Sequence, residues 1–304
     1  MTREELSKEK QDEIFQEQNK EQIKKIIKLV IKIIIISTIV ISLFLAYTSY
    51  ISTIKVGVRE YRIVNEKIPN TFNGLKIIQL SDLHFGSTML NDDVKKIVKM
   101  TNERKPDLIV YTGDLIDKNK NLTSKDQEKL INELKNLNAT LGKYAILGDE
   151  DTEKESTIFN QSDFTILRNE HDLIYKDDTN PILLIGLTSL NKNQDIEKGY
   201  SYFKETSHNS NIYTITLLHE PDAVDDILSS YQTDLFLAGH SHNGNIRLPF
   251  VKYSIFKREG AKKYDQDYYE INNSKLYISS GLGTESGIRL FCRPTISLYR
   301  LSNK

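Results

Sequence analysis

Only one cysteine, Cys292, occurs in the chain, so no disulfide can form within it. A single thiol does not assign a redox compartment, because an exported domain can do without bridges. An excess of charge of one sign is also missing: 41 basic against 42 acidic residues leave a formal charge of −1. That balance gives no global basic field, and no specific nucleic-acid partner is expected. No internal repeat is visible, and no twin-arginine pair precedes the apolar run near the N-terminus. What remains is a 304-residue chain with 38% hydrophobic and 27% charged residues, sufficient for an anchor plus one large domain or two small ones.

Residues 1–28 form a charged tail in which Glu4, Glu5, Lys8, Glu9 and Lys10 interleave signs, as in a solvated helix or a disordered segment. Lys24, Lys25, Lys28 and Lys32 then crowd before an uncharged run from Ile33 to Ile54. About twenty residues at 1.5 Å each span roughly 30 Å, the thickness of a hydrocarbon core, so residues 29–54 are read as one transmembrane helix. Lys32 can snorkel at one end, and Tyr47 and Tyr50 suit the interface at the other. A cleaved signal peptide fits less well, because leader and apolar core are both long and Ala46-Tyr47-Thr48 is a poor cleavage site. The lysine cluster predicts a cytoplasmic N-terminus and an extracytoplasmic remainder, although Lys55, Arg59 and Arg62 after the run oppose that bias. The bilayer is therefore an expected partner, and residues 55–304 are expected to form the catalytic domain.

Beyond the anchor, short apolar runs alternate with amphipathic stretches. Strands are expected at 75–80, 108–111, 144–147, 182–187, 212–218, 235–238, 276–279 and 296–301. Helices are expected at 91–104, after a capping-box-like Ser124-Lys125-Asp126-Gln127, and at 221–230. Asp265 to Tyr269 and Asn272-Asn273 read as hairpin or loop. The alternation predicts an α/β layered domain with mixed sheets.

Several of these strands finish in residues that ligate metals: Asp82 and His84, Gly113-Asp114, Gly148-Asp149-Glu150-Asp151, His219-Glu220, and Gly239-His240-Ser241-His242. In an extended chain residues two apart point the same way, so Asp82 and His84 could meet one ion. Ligands gather beyond the carboxyl ends of strands in α/β sheets, and the glycines let the backbone turn there. Singly, each block has a plain explanation as a turn or a satisfied histidine. Jointly they carry more, because His84, His219, His240 and His242 account for four of the six histidines. His171 and His208 lie outside the pattern and read as ordinary surface or loop residues. Mixed imidazole and carboxylate donors favour Mn, Fe, Zn or Ni over Mg or Ca.

With these blocks in this order, the chain resembles the calcineurin-like metallophosphoesterases from about Lys55 to Lys304. The run His219-Glu220-Pro221-Asp222 and the tail Ile288 to Pro294 are similar to the membrane-associated bacterial branch. The resemblance implies a four-layer αββα sandwich of two mixed sheets behind one transmembrane helix, with two divalent metal ions between the sheets. Carried over by position, Asp82, His84 and His242 would hold one ion, Asp149, His219 and His240 the other, and Asp114 would bridge them. A hydroxide shared by such a pair attacks phosphorus in line. The implied substrate is a phosphodiester or phosphomonoester, and an anchored enzyme suits an envelope lipid or lipid-linked one.

The third block departs from the family's Gly-Asn-His-Asp or Gly-Asn-His-Glu. Asp149 replaces a neutral amide ligand, so a third carboxylate faces the ions and should weaken them as Lewis acids. Glu150 replaces a histidine near the leaving group. Buried, with a raised pKa, it would serve as a general acid; ionised, it would leave a weakened, metal-binding or scaffolding protein. Asn245 is placed to orient a ligand or shape a turn. Arg289 and Arg293 lie in the family-like tail, where one could meet a substrate phosphate; surface arginines are the plain alternative.

Overall fold

A computed structural model describes residues 3–47, 56–176, 180–205, 211–247, 254, 257–285 and 287–304. The chain divides into two compact units, Met1–Thr48 and Ser49–Lys304, taken separately.

In the first unit a single helix, α1, runs over Arg3–Ala46. The charged tail is thus helical from Arg3. Within it Glu13–Ala46 is long and apolar enough to cross a membrane, with none of its apolar stretch buried. Tyr50, Lys55 and the rest of 48–55 lie outside the described residues.

The second unit holds two six-stranded sheets. The first has the order β1 (Gly57–Val64), β12 (Thr295–Ser302), β2 (Lys76–Leu80), β3 (Leu108–Thr112), β4 (Lys143–Ile146) and β5 (Thr165–Ile166). β2 to β5 run parallel, and β12 is antiparallel to β2. The second sheet has the order β10 (Tyr268–Ile271), β11 (Ser274–Ile278), β9 (Leu235–Ala238), β8 (Thr214–Leu218), β7 (Ile182–Gly186) and β6 (Glu170–Ile174). Its inner strands are parallel, and β10 and β6 are antiparallel edges.

Strand alternation accounts for the layers. Ile77, Leu108, Val110 and Ile146 point inward and meet Leu184, Ile215, Leu217, Leu235 and Leu237 of the second sheet. Their neighbours Ile78, Leu80, Ile109, Tyr111 and Ala145 point outward onto Val94, Ile97, Val98, Leu130, Leu134 and Phe159. Those residues belong to or follow the pattern of α2 (Asn91–Glu103), α3 (Ser124–Lys135) and α4 (Glu153–Gln161). On the far side Leu183, Ile185, Phe236 and Ala238 pack against Tyr202, Val224 and Ile227. These come from the short α5 (Ile196–Gly199) and α6 (Tyr202–Glu205) region and from α7 (Val224–Ser230). The result is a helix–sheet–sheet–helix sandwich whose inner strands are apolar on both faces. Each fully buried aliphatic contributes roughly 1.5–3 kcal/mol.

One buried polar group crosses the inter-sheet core. Gln79 donates to Thr112 Oγ1 at 2.9 Å and to the Ala238 carbonyl at 2.8 Å, and accepts from Tyr299 at 2.7 Å. It ties β2, β3, β9 and β12 together just before β2, β3 and β9 release their metal-ligating residues.

The structure adds elements the sequence patterns did not suggest: β1, α4, β5, β6 and the short α5 and α6. α4 has a capping box in which Thr152 receives Lys154 N–H at 3.3 Å and Glu155 receives Thr152 N–H at 2.6 Å. The cap of α3 is Thr123 rather than Ser124: its hydroxyl accepts from Asp126 N–H at 3.2 Å. Tyr268 to Ile271 is a strand, paired with β11 in a hairpin whose turn is Asn272-Asn273.

Candidate metal centre

Parallel pairing puts the carboxyl ends of β2, β3 and β4 at one edge, and those of β8 and β9 at the facing edge of the second sheet. The chain then leaves the strands through sharp turns. Asp82, His84, Asp114, His240 and His242 all have positive φ, at 51°, 44°, 58°, 64° and 48°. Left-handed backbone at a non-glycine residue costs about 1–3 kcal/mol, and such strain gathers at functional sites. This corrects the expectation for Asp82 and His84. They do not converge by strand alternation; β2 ends at Leu80, and both residues turn back in left-handed conformation. Gly113 has φ +93°, and a Cβ there would sit 2.5 Å from His219 Nδ1. Gly148 has no such φ; it is needed because a Cβ would collide with Asp114.

Two groups of donors result: Asp114, Asp149, His219 and His240, and Asp82, His84 and His242. In the first, His219 Nε2 lies 3.2 Å from Asp114 Oδ2 and 3.0 Å from Asp149 Oδ1, and His240 Nδ1 lies 3.1 Å from Asp149 Oδ1. In the second, His84 Nε2 and His242 Nε2 face each other at 3.1 Å, and His242 Nε2 is 3.4 Å from Asp82 Oδ1. Asp114 Oδ2 is buried and stands between the groups, with His219 Nε2 on one side and His84 Nε2, at 3.9 Å, on the other.

The tautomers follow from the outer hydrogen bonds. His219 Nδ1 donates to the Thr112 carbonyl at 2.6 Å, which frees Nε2. His240 Nε2 donates to the Glu259 carbonyl at 2.7 Å, which frees Nδ1. Asp82 is held by the His240 amide at 3.0 Å and the Ser81 hydroxyl at 2.5 Å. The donor set fits divalent cations: buried carboxylate oxygens crowded against imidazoles, and two ring nitrogens directed at each other, are satisfied by shared positive charge.

Charge follows the same logic. Burial opposes ionisation of Asp149, but hydrogen bonds from His219 and His240 outweigh it and hold its carboxyl well below the usual range. Burial lowers His219, yet Asp114 and Asp149 overcome it and raise it well above its ordinary value, so that without an ion Nε2 carries a proton which a bound cation would replace. His242 lies well below its ordinary value through burial and the nearby Arg258, His84 and Arg289 charges, so its ring is neutral.

Asp151 stitches the loops together. Its carboxylate accepts the amides of Asp114, Leu115 and Gly148, each at 2.8 Å. Lys192 Nζ caps the same turn from outside, donating to the Gly148 carbonyl at 2.8 Å and to the Asp151 carbonyl. Neither role was anticipated. Asp151 carries no role by its place in the third block, and nothing around Lys192 in the sequence distinguishes it from a surface lysine.

Glu150 is not the raised-pKa acid that the sequence suggested. Its side chain is only 3% exposed, and Oε1 receives Lys118 Nζ at 2.6 Å. Oε2 stands 3.4 Å from His84 Nδ1. Burial favours the neutral acid, but His84 and Lys118 outweigh it and hold the carboxyl below its ordinary value. The group is ionised, and it faces the ring nitrogen of His84 that points away from His242.

Arg289 is fully buried and not a surface arginine. Its guanidinium donates to the carbonyls of Ser280 and Gly283, at 2.6 and 2.5 Å, and Nη2 lies 3.4 Å from His242 Nδ1. It packs behind His242 and does not reach open space. Arg293 is exposed. Asn245, with φ 52°, donates from its side chain to Thr284 Oγ1 at 3.4 Å, its Oδ1 is buried without a hydrogen-bond partner, and its backbone pairs with Leu290 at 2.9 Å. His171 lies on β6 against Tyr202. His208 lies outside the described residues.

An open cleft of about 390 Å³ adjoins the centre, lined by Lys118, Asp149, Glu150, His240, Arg258 and Glu285 among others. A larger hollow of about 450 Å³, bounded by Glu66 to Thr71, Ile212 and Asn303, lies at the opposite ends of the strands and holds none of the metal donors.

The calcineurin-like phosphoesterase family profile matches residues 75–244, more than half of the chain. The chain belongs to the calcineurin-like phosphoesterases. This phosphoesterase is 32% identical to the uncharacterised metallophosphoesterase YkuE of Bacillus subtilis, over 84% of this chain and 89% of that one. It is 30% identical to the uncharacterised metallophosphoesterase Cj0846 of Campylobacter jejuni, over 88% and 70%. It is 29% identical to the UDP-2,3-diacylglucosamine pyrophosphatase LpxG of Chlamydia muridarum, over 77% and 86%. It is a metal-dependent phosphoester hydrolase, and the ions it uses are divalent.

Proposed function

We propose that this phosphoesterase hydrolyses a phosphoester, a diester or monoester of an amphiphilic envelope molecule, at a dinuclear centre. Asp82, His84 and His242 hold one ion, Asp149, His219 and His240 the other, and Asp114 lies between. The observation that carries the reading is Asp114 Oδ2: buried, and set between imidazole nitrogens of both groups, 3.2 Å from His219 Nε2 and 3.9 Å from His84 Nε2.

Ions bound there supply Lewis acidity and an activated water. The protein's own groups do the rest. Thr112 and Glu259 carbonyls fix two imidazoles in the tautomer that presents a lone pair. Ionised Glu150 orients His84, and Lys118 offsets the charge that a glutamate brings to the cleft. Asp151 and Lys192 keep Asp114 and Asp149 in register.

The amphiphilic substrate is supported by the apolar helix and by the diacylglucosamine compound named in the activity of the chlamydial relative. The lysines before the apolar run support a cytoplasmic N-terminus with the enzyme outside the cytoplasmic membrane. The test is hydrolysis of bis-p-nitrophenyl phosphate by the Mn-loaded protein against Asp114→Asn. A rate no higher than that of the variant would make the chain a metal-binding protein without turnover.

A further inference from the structure

The link from the apolar helix joins the catalytic unit at its metal edge. Val56 packs against the core under the helices of the first sheet, and the Gly57 amide donates to the Pro294 carbonyl at 2.8 Å. β1 then runs away from the centre, because it is parallel to β12 and β12 is antiparallel to β2. Gly57 therefore stands at the end where β2, β3 and β4 release their donors, and Val64 at the other. Contacts agree: the Thr295 amide donates to the Gly281 carbonyl at 3.3 Å, and a Cβ on Gly281 would lie 3.0 Å from Asp82 Cβ and 3.2 Å from His242 Nδ1. Residues 48–55 are the whole link between Tyr47 and Val56. A stretch of that length reaches at most roughly 30 Å.

The same edge exposes large apolar side chains. Phe291 is 59% exposed, Leu90 57% and Leu190 43%. Leu90 follows β2, Leu190 follows β7 and lines the cleft, and Phe291 stands just before Pro294. The loops of Leu90 and Phe291 are tied together: the Thr88 hydroxyl donates to the Thr284 carbonyl at 3.2 Å and accepts the Thr284 amide at 2.9 Å. Phe291 sits between the buried Leu290 and Cys292 with φ 53°, a left-handed turn that a bulky residue seldom adopts. Arg293, also exposed, adds a cation beside it. Single exposed apolar residues are ordinary, and Val64 and Tyr175 are exposed at the opposite end. The short link decides between the two ends, because it enters at only one of them. Phe and Leu suit the boundary between headgroups and acyl chains, and a neighbouring cation suits anionic headgroups.

We propose that the metal edge of the catalytic unit docks on an anionic lipid surface, with Phe291, Leu90 and Leu190 entering the headgroup layer and Arg293 meeting the headgroup charge. The cleft then opens onto the lipid surface. This rests on the membrane-spanning reading of the apolar helix and does not depend on turnover.

The chain has no tryptophan, so one introduced indole reports alone. Phe291→Trp, Leu90→Trp and Tyr175→Trp are made separately in the full chain. Each is reconstituted in phosphatidylcholine–phosphatidylglycerol vesicles, with and without bromine on the acyl chains near the headgroups. Unchanged circular dichroism shows that each variant is folded. Emission from Phe291→Trp and Leu90→Trp should shift to shorter wavelength and be quenched by bromine; emission from Tyr175→Trp should not. Adding Arg293→Gln to Leu90→Trp, or raising the salt, should lessen the quenching. Absence of quenching at positions 90 and 291, or equal quenching at all three, overturns the proposal. So does a shift to shorter wavelength without quenching, which marks burial against protein such as a second copy. Release of the chain from vesicles by alkaline carbonate would remove the membrane-spanning reading as well, whereas a retained chain with unquenched indoles loses the docking face alone.

Discussion

Replacing Glu150 with glutamine separates two chemical tasks for one carboxyl. Its Oε2 lies 3.4 Å from His84 Nδ1 and its Oε1 2.6 Å from Lys118 Nζ. Glutamine keeps the shape and removes the charge. An amide oxygen turned toward His84 leaves the amide NH₂ facing the Lys118 ammonium, donor against donor. If the carboxylate orients His84 and raises its basicity, its loss should cost about 10–100-fold in metal affinity, or roughly 1.4–2.7 kcal/mol. Competition of Mn against a chelating dye reads this directly. Saturating Mn should restore much of the rate, because the reacting groups are untouched. A general acid behaves differently: its loss lowers kcat by about 10²–10⁴-fold at saturating metal and removes a limb of the pH profile. Unchanged Mn affinity with a hundredfold lower kcat would refute the orienting role.

Asp151→Asn should leave at least one of three buried amides without a good acceptor and cost about 1–3 kcal/mol, seen as a melting temperature lower by several degrees. Metal affinity should rise with pH. In the metal-free protein Asp114 and Asp149 outweigh burial and hold His219 protonated, so an ion must expel that proton; calorimetry in buffers of different ionisation enthalpy should register proton release. Stripping the ions should destabilise the fold, and Mn at about a hundredfold above its Kd should restore about 2.7 kcal/mol, measured by denaturant unfolding with and without chelator. Gly148→Ala should abolish metal binding, since its Cβ would collide with Asp114, while the secondary-structure signal in circular dichroism persists.

Much of the fold was readable because the inner strands are apolar on both faces and short. Ile77 and Ile78 each find a core, one between the sheets and one under the helices. The convergence of metal-ligating residues was readable too, because glycines mark the ends of three of the strands that carry them. Other features had no local signature. β1 is a polar edge strand, Gly-Val-Arg-Glu-Tyr-Arg-Ile-Val, whose place is set by parallel pairing with β12 at the far end of the chain. The left-handed turns at Asp82 and His84 came from packing, where extended chain was expected. Glu150 looked like an acid in isolation; its state is fixed by Lys118, 32 residues away, and by His84. For Arg289 the sequence leaves a substrate-phosphate contact and a surface group both open, because its actual partners are backbone carbonyls, which carry no residue identity.

Anomalous scattering from crystals of the Mn-loaded protein tests the central claim most directly. Two peaks per chain are predicted, one against Asp82, His84 and His242, the other against Asp149, His219 and His240, with Asp114 touching both. A single peak, or metal bound away from Asp114, would contradict the account.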